Sequence, residues 1–168
     1  MKLNRKQFML KLVLGSIGFV VLDSFWLETY FVEWTEHDIS ESESNKIKVV
    51  HLTDLHLQSI KSVHKSIAER INKEWPDVIL ITGDSVERNK NLPVLADFLN
   101  LIDNKIPKIA ILGNKESSGR IDLQKLKDIY ENHNGILLIN EAYLFRTKNR
   151  EISIIGFDDL VHGHPDFE

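Results

Sequence analysis

With 168 residues, 42% of them apolar, and a formal net charge of −4, the chain suffices for one domain of ordinary size with a sizeable core. That charge gives no electrostatic case for binding nucleic acid. Cysteine is absent, which excludes disulfides, thiolate metal sites and cysteine catalysis, so any metal has to be held by oxygen and imidazole ligands.

The first residues carry Lys2, Arg5, Lys6 and Lys11 and no acid. Leu12–Leu22 follows as an uncharged, mostly apolar run containing Gly15 and Gly18. A spanning helix needs roughly 20 apolar residues, so this shorter run matches a signal-peptide core instead. The stretch Asn4-Arg5-Lys6-Gln7-Phe8-Met9 resembles a twin-arginine export motif with lysine in place of the second arginine. No small-x-small cleavage site follows, because Asp23–Trp34 is bulky and aromatic. Residues 1–35 are therefore read as a signal-like or membrane-anchor segment outside the folded domain. A helix over Arg5–Leu22 with few contacts to that domain is expected, and a core helix is the competing reading. Export or anchoring implies membrane association and a place in a bacterial cell envelope. His37–Asn45 is polar, acidic and serine-rich, and marks a linker over 36–46.

From residue 47 the pattern alternates. Ile47–Leu52 is a short β-branched run and reads as a strand. Ser62–Glu74 has Val63, Ile67, Ala68 and Ile71 at helical spacing, and Pro76 closes it. Val78–Thr82 is a continuous apolar strand of the buried, parallel kind. Leu92–Leu101 sets Leu92, Leu95, Ala96 and Leu99 on one helical face. Lys108–Leu112 is a third strand. Asp122–Tyr130 is a third helix, with Asp122 as its N-cap and Gly135 beyond its end. Ile136–Ile139, Tyr143–Thr147 and Ile152–Ile155 are further strands, the last of them close enough for a hairpin or antiparallel edge. The β-α-β-α-β-α order predicts an α/β fold with a mainly parallel sheet.

In open α/β sheets, ligands sit outside the carboxyl ends of the strands. The first strand here ends in Thr53-Asp54-Leu55-His56, the second in Gly83-Asp84, the third in Gly113-Asn114-Lys115-Glu116. Parallel strands bring the three sets side by side. Asp54 and His56 flank a single residue, so both can face one pocket from a loop. A carboxylate with an imidazole suits Zn, Mn or Fe better than Ca. Asp84 has two oxygens with which to bridge two ions, and Asn114 supplies a neutral oxygen. Two ions roughly 3.5–4 Å apart can hold both an attacking hydroxide and a phosphoryl oxygen. The glycines before Asp84 and Asn114 allow sharp turns.

Taken in order, Asp54-Leu55-His56, Gly83-Asp84-Ser85-Val86 and Gly113-Asn114-Lys115-Glu116 resemble the signature of the calcineurin-like metallophosphoesterases: Asp-x-His, Gly-Asp-x-x, then Gly-Asn-His-Asp/Glu. The likeness covers about residues 47–160. Phe25-Trp26-Leu27-Glu28 and Gly156-Phe157-Asp158-Asp159 resemble the exported or membrane-linked bacterial subgroup. The resemblance implies a four-layer α/β/β/α sandwich, of which residues 47–168 form the N-terminal part. It implies two divalent metal ions (Mn, Zn or Fe) in the complete protein and hydrolysis of phosphomonoesters or phosphodiesters. Asp54 and His56 would hold the first ion, Asp84 would bridge, and Asn114 would hold the second. A membrane location would make lipid-linked or nucleotide-sugar phosphate esters the candidate substrates.

Two departures from the signature stand out. Lys115 occupies the position of the family's histidine. As a cation it could stabilise phosphoryl charge, yet with an unperturbed pKa of about 10.4 it is a poor acid near neutrality. The other reading is a solvated loop lysine. The family also supplies further histidines downstream, in Gly-His and Gly-His-x-His motifs, and the chain reaches Glu168 before either is expected. His162 and His164 follow Gly156-Phe157-Asp158-Asp159 directly and are read as loop residues, and His51, His64 and His133 as strand or helix-surface residues. The 168-residue chain alone is therefore expected to hydrolyse slowly or not at all. The rival from another class is a non-catalytic remnant or binding module that keeps the sheet without a metal pair. A nucleotide-binding α/β domain is disfavoured, since no Gly-rich phosphate loop follows the first strand.

Overall fold

The computed structural model describes residues 46–147 and 150–167, together with positions 4, 9, 11, 32 and 34–39. The chain divides into two units, Met1–His37 and Asp38–Glu168. The helix expected over Arg5–Leu22 lies outside the described residues except at Met9 and Lys11, which are helical and exposed. Phe25–Glu28 lies outside them as well. In the linker, Glu36–Ile39 is exposed and without regular structure.

Four strands form a parallel sheet in the order β1-β2-β3-β4: β1 (Val49–Leu52), β2 (Val78–Thr82), β3 (Lys108–Ile111) and β4 (Gly135–Leu138). The register pairs Val50 with Ile79, Ile79 with Lys108, and Lys108 with Gly135. Each strand leads to the next through a helix: α1 (Ser62–Glu74), α2 (Leu92–Asn100), then the short α3 (Asn114–Ser118) and α4 (Leu123–Asn132). Successive parallel neighbours joined by right-handed crossovers place the connecting helices on one face of the sheet. Of the apolar stripes read from the sequence, Ile67, Ala68 and Ile71 in α1 and Leu92, Leu95 and Leu99 in α2 are buried while Val63 and Ala96 are half-buried; Phe98 in α2 and Leu126 and Tyr130 in α4 are buried as well.

The opposite face of the sheet meets a two-stranded antiparallel hairpin, β5 (Glu141–Arg146) and β6 (Glu151–Gly156). Side chains alternate along a strand, so Val78 and Leu80 of β2 point one way while Ile79 and Ile81 point the other. Val78, Ile109, Leu138 and Phe145 form the buried centre of the inter-sheet layer, with Ile111, Ile136 and Ile154 packed around it. Helices, parallel sheet and hairpin thus make stacked layers, as the α/β reading requires. On the outer side of the hairpin, Leu144 and Ile155 stay exposed at 44% and 57%.

Some boundaries differ from the sequence reading for local reasons. Asp122 does cap its helix, its side chain accepting from Lys125 N at 3.2 Å. That helix runs on to Asn132, so the left-handed residue after it is Asn134 (φ 54°), and Gly135 begins β4 instead of capping the helix. Asparagine tolerates this conformation because its short polar side chain bonds locally. Asn114, placed by the sequence directly after the third strand, opens the short helix α3.

Lys108, the first residue of β3, has only 1% of its surface exposed. Its Nζ donates to Asp103 O at 3.3 Å, a carbonyl that also accepts from Ile106 N. Burial lowers its pKa from 10.5 to about 8, partly opposed by the charge of Asp103. At neutral pH the folded protein therefore carries a poorly solvated ammonium. Because the folded pKa is below the unfolded one, wild-type stability rises with pH between about 8 and 10.5. Lys108→Met removes the buried charge and leaves the Asp103 carbonyl satisfied. It is expected to raise the urea midpoint at pH 7, and the advantage should shrink as pH climbs through that window. A pH-independent difference between the two proteins would contradict this account.

Candidate metal centre

Backbone pairing between β1 and β2 continues past the strand ends and sets the first two loops against each other. Asp54 N donates to Gly83 O at 3.3 Å, His56 N to Asp84 O at 2.8 Å, and Leu57 N to Ser85 O at 2.9 Å. Leu57 and Val86, both wholly buried, pin the loops to the core. Gly83 and Gly113 let the β2 and β3 ends touch. A Cβ on Gly83 (φ 82°) would meet Gly113 Cα at 2.6 Å, and one on Gly113 would meet Asp84 Oδ1 at 2.2 Å.

The loops after β2 and β3 are joined by one carboxylate. Glu116 is 2% exposed. Its Oε2 accepts from Asp84 N at 2.9 Å and Gly113 N at 3.1 Å, and its Oε1 accepts from Ser85 N at 2.6 Å and Val86 N at 3.1 Å. The loop is fastened again from α4, where buried Tyr130 places its hydroxyl 3.0 Å from Ser85 Oγ. Desolvation pushes the Tyr130 phenol far above its ordinary pKa, so it remains a neutral hydrogen-bonding group.

On this frame Asp54, His56 and Asp84 converge, with one ligand atom of each within 4.8 Å of the others. His56 Nε2 lies 3.7 Å from Asp54 Oδ1 and 3.8 Å from Asp84 Oδ2. Ligands at about 2.1 Å from a tetrahedral ion stand roughly 3.4 Å apart, so a slight contraction would seat one. All three residues have positive φ: 54°, 43° and 51°. Non-glycine residues held in this region cost on the order of 1 kcal/mol or more each, and such residues cluster at functional sites. Asp54 Oδ2 accepts from the Thr53 hydroxyl at 2.6 Å, and Asp84 Oδ1 accepts from Lys115 N at 2.9 Å, so in each carboxylate the other oxygen faces His56. Two carboxylates and one imidazole fit a divalent transition ion.

Asn114 and Lys115 lie at the same edge of the sheet. Residues on both sides of Asn114, Gly113 and Lys115, pack against Asp84. Lys115 engages Asp84 through its backbone N–H, and its side chain is exposed. Five other described histidines have other duties. His51 Nε2 is 2.6 Å from Thr82 Oγ1, and His64 Nδ1 accepts from Lys61 N at the start of α1. His133 Nδ1 lies 2.6 Å from Ile129 O. His162 and His164 sit in the loop shaped by Asp158 and Asp159. Two site residues carry more weight than sequence reading assigned them. Glu116 was visible only as the closing acid of the third motif. Glu87 lies three residues after Asp84 with its Oε1 3.2 Å from His56 Nδ1, and nothing but that spacing hinted at it.

Glu116→Gln should be among the most damaging isosteric changes in the domain, because the amide nitrogen would face two backbone donors. Each buried unsatisfied group costs about 1–3 kcal/mol, so a loss of roughly 2–5 kcal/mol in urea unfolding is expected. An unchanged midpoint would show that the four N–H groups find other acceptors.

Comparison with known proteins bears on this geometry. A family model for the calcineurin-like phosphoesterase matches residues 47–165. The uncharacterized metallophosphoesterase YkoQ of Bacillus subtilis is 36% identical over 119 residues, covering 68% of this chain and 44% of its own length. YkuE, another uncharacterized metallophosphoesterase of Bacillus subtilis, is 26% identical over an alignment covering 99% of this chain and 64% of the relative. The phosphodiesterase YaeI of Escherichia coli is 27% identical over 146 residues, 82% of this chain and 54% of its own. The chain spans about half the length of these curated relatives. With a family model matching residues 47–165 and the three motifs at one sheet edge, the chain belongs to the calcineurin-like phosphoesterase family.

Proposed function

We propose that this chain carries the first part of a metal-dependent phosphoesterase centre, acting in the complete protein on a phosphate ester. The observation that carries the reading is the convergence of Asp54, His56 and Asp84, three strained residues from two neighbouring strand ends. Asp54, His56 and one oxygen of Asp84 would hold a first divalent ion. Asp84 Oδ1, which keeps a lone pair beside its bond to Lys115 N, and Asn114 would contribute to a second. Such ions supply a water of lowered pKa and a Lewis acid for the phosphoryl oxygens.

The chain's own residues prepare that chemistry. Thr53 and the Lys115 N–H hold Asp54 and Asp84 with one oxygen each toward His56. Glu116 fixes the backbone from which Asp84 projects. The exposed Lys115 ammonium is a cation available to phosphoryl charge. A phosphodiester is the favoured substrate class, on the name of the Escherichia coli relative. A lipid-linked or nucleotide-sugar ester follows only if the basic and apolar N-terminus holds the protein at a membrane. Among the described residues no helix is long and apolar enough to cross one. Envelope location is supported by Lys2, Arg5, Lys6 and Lys11 preceding Leu12–Leu22. Recovery of the native protein wholly in the cytosolic fraction would count against it.

A second reading, a non-catalytic remnant or binding module that keeps the fold without a complete metal pair, is favoured by Lys115 at the family's histidine position. One experiment separates the two. Metal-free chain titrated with Mn²⁺ is expected to take up at least one ion, and His56→Ala or Asp84→Asn to weaken uptake by more than about tenfold, since each removes one of few ligands. Hydrolysis of bis(p-nitrophenyl) phosphate by the protein extended to its natural downstream end, appearing with Mn²⁺ and abolished by a chelator, supports the enzyme. No hydrolysis by that extended protein supports the second reading, and no Mn²⁺ uptake by either form sinks the metal centre.

A further inference from the structure

His56 has two ring nitrogens in different surroundings. Nε2 faces Asp54 Oδ1 and Asp84 Oδ2. Nδ1 is shut off from solvent and makes no well-formed hydrogen bond. The acceptor beside it is Glu87 Oε1, 3.2 Å away but off the N–H axis. The backbone at Glu87 has little room to shift. Val86 before it is wholly buried, and a Cβ on Gly119 would approach Glu87 O to 2.4 Å. A small rotation of the Glu87 side chain, by contrast, would align the carboxylate with the ring.

We propose that Glu87 is a positioning residue for His56: its carboxylate accepts the Nδ1–H proton and so holds the ring in the tautomer whose Nε2 lone pair points at the ion. This rests on the metal centre proposed above. In a neutral imidazole one nitrogen carries the proton and the other accepts, and the partner of the first decides which. Without an acceptor at Nδ1, the Nε2–H form would turn a proton toward the two carboxylates and close the site to a cation.

The test has a metal-free arm and a metal arm. Long-range ¹H–¹⁵N spectra of the metal-free chain, at a pH where the ring is neutral, report which His56 nitrogen is protonated. The wild type should show Nδ1–H. Glu87→Met keeps the volume of a side chain that is one-third exposed and removes the acceptor, and should shift His56 toward Nε2–H. Glu87→Gln retains an acceptor oxygen at the same reach and should keep Nδ1–H. In Mn²⁺ titrations the Met variant should bind about 10- to 100-fold more weakly, the range seen when such outer partners are lost, with the Gln variant closer to wild type. An Nε2–H wild type, an unmoved tautomer in Glu87→Met, or equal affinity losses in both variants would each overturn the proposal. A wild type that binds no Mn²⁺ overturns the metal centre itself, whereas one that binds while the Met variant is unaltered overturns Glu87 alone.

Discussion

The Glu116 carboxylate, buried with four backbone N–H groups around it, is the interaction on which the site depends. Those donors come from residues 84, 85, 86 and 113, at the ends of two different strands. Loops at strand ends leave backbone donors without ladder partners, and burying them unpaired would be costly. One charged acceptor satisfies all four and locks the loops together. The approach is close enough that neither Gly83 nor Gly113 has room for a Cβ. The position of Asp84 is thus decided by a residue 32 places further along the chain.

The frame carries an electrostatic burden that the fold alone would not choose. Asp54, Asp84 and Glu87 lie around one imidazole, and Glu116 stands just behind. All three candidate ligands are held in left-handed backbone conformations. Strain and like-charge crowding at one sheet edge both disfavour the folded chain, and a divalent cation would relieve the crowding. Stability needed to hold such an arrangement comes from elsewhere, chiefly the apolar layers on the two faces of the parallel sheet. Leu57 and Val86 carry that support directly into the ligand loops.

The hairpin contributes in a different way. Phe145 and Ile154 close one face of the parallel sheet, so β2 and β3 are covered on both sides and their carboxyl ends are held firmly. The family's layered architecture is recognisable in this arrangement, with the candidate centre at the strand ends where such sheets bind their ligands.

Much of this was legible in the residues themselves. Val78–Thr82 and Ser62–Glu74 were readable to the residue, because a continuous apolar run and a 3.6-residue stripe are local signals that packing reinforces. Asp54, His56 and Asp84 stood out for a related reason: polar ligand types directly after buried strands have few structural uses. Other features depended on contacts between distant segments. Periodicity cannot show that Asn134, not Gly135, takes the left-handed turn after α4, since the helix end is settled by packing. Nothing local tells that Glu116 faces backbone instead of solvent, or that Glu87 turns toward His56 and not outward. A carboxylate's role is set by which donors lie within about 3 Å of it, and chain segments brought together by the sheet supply them. The sequence by itself determined the strands, the helices and the ligand types; only the tertiary structure decided which acids hold the frame and which face the imidazole.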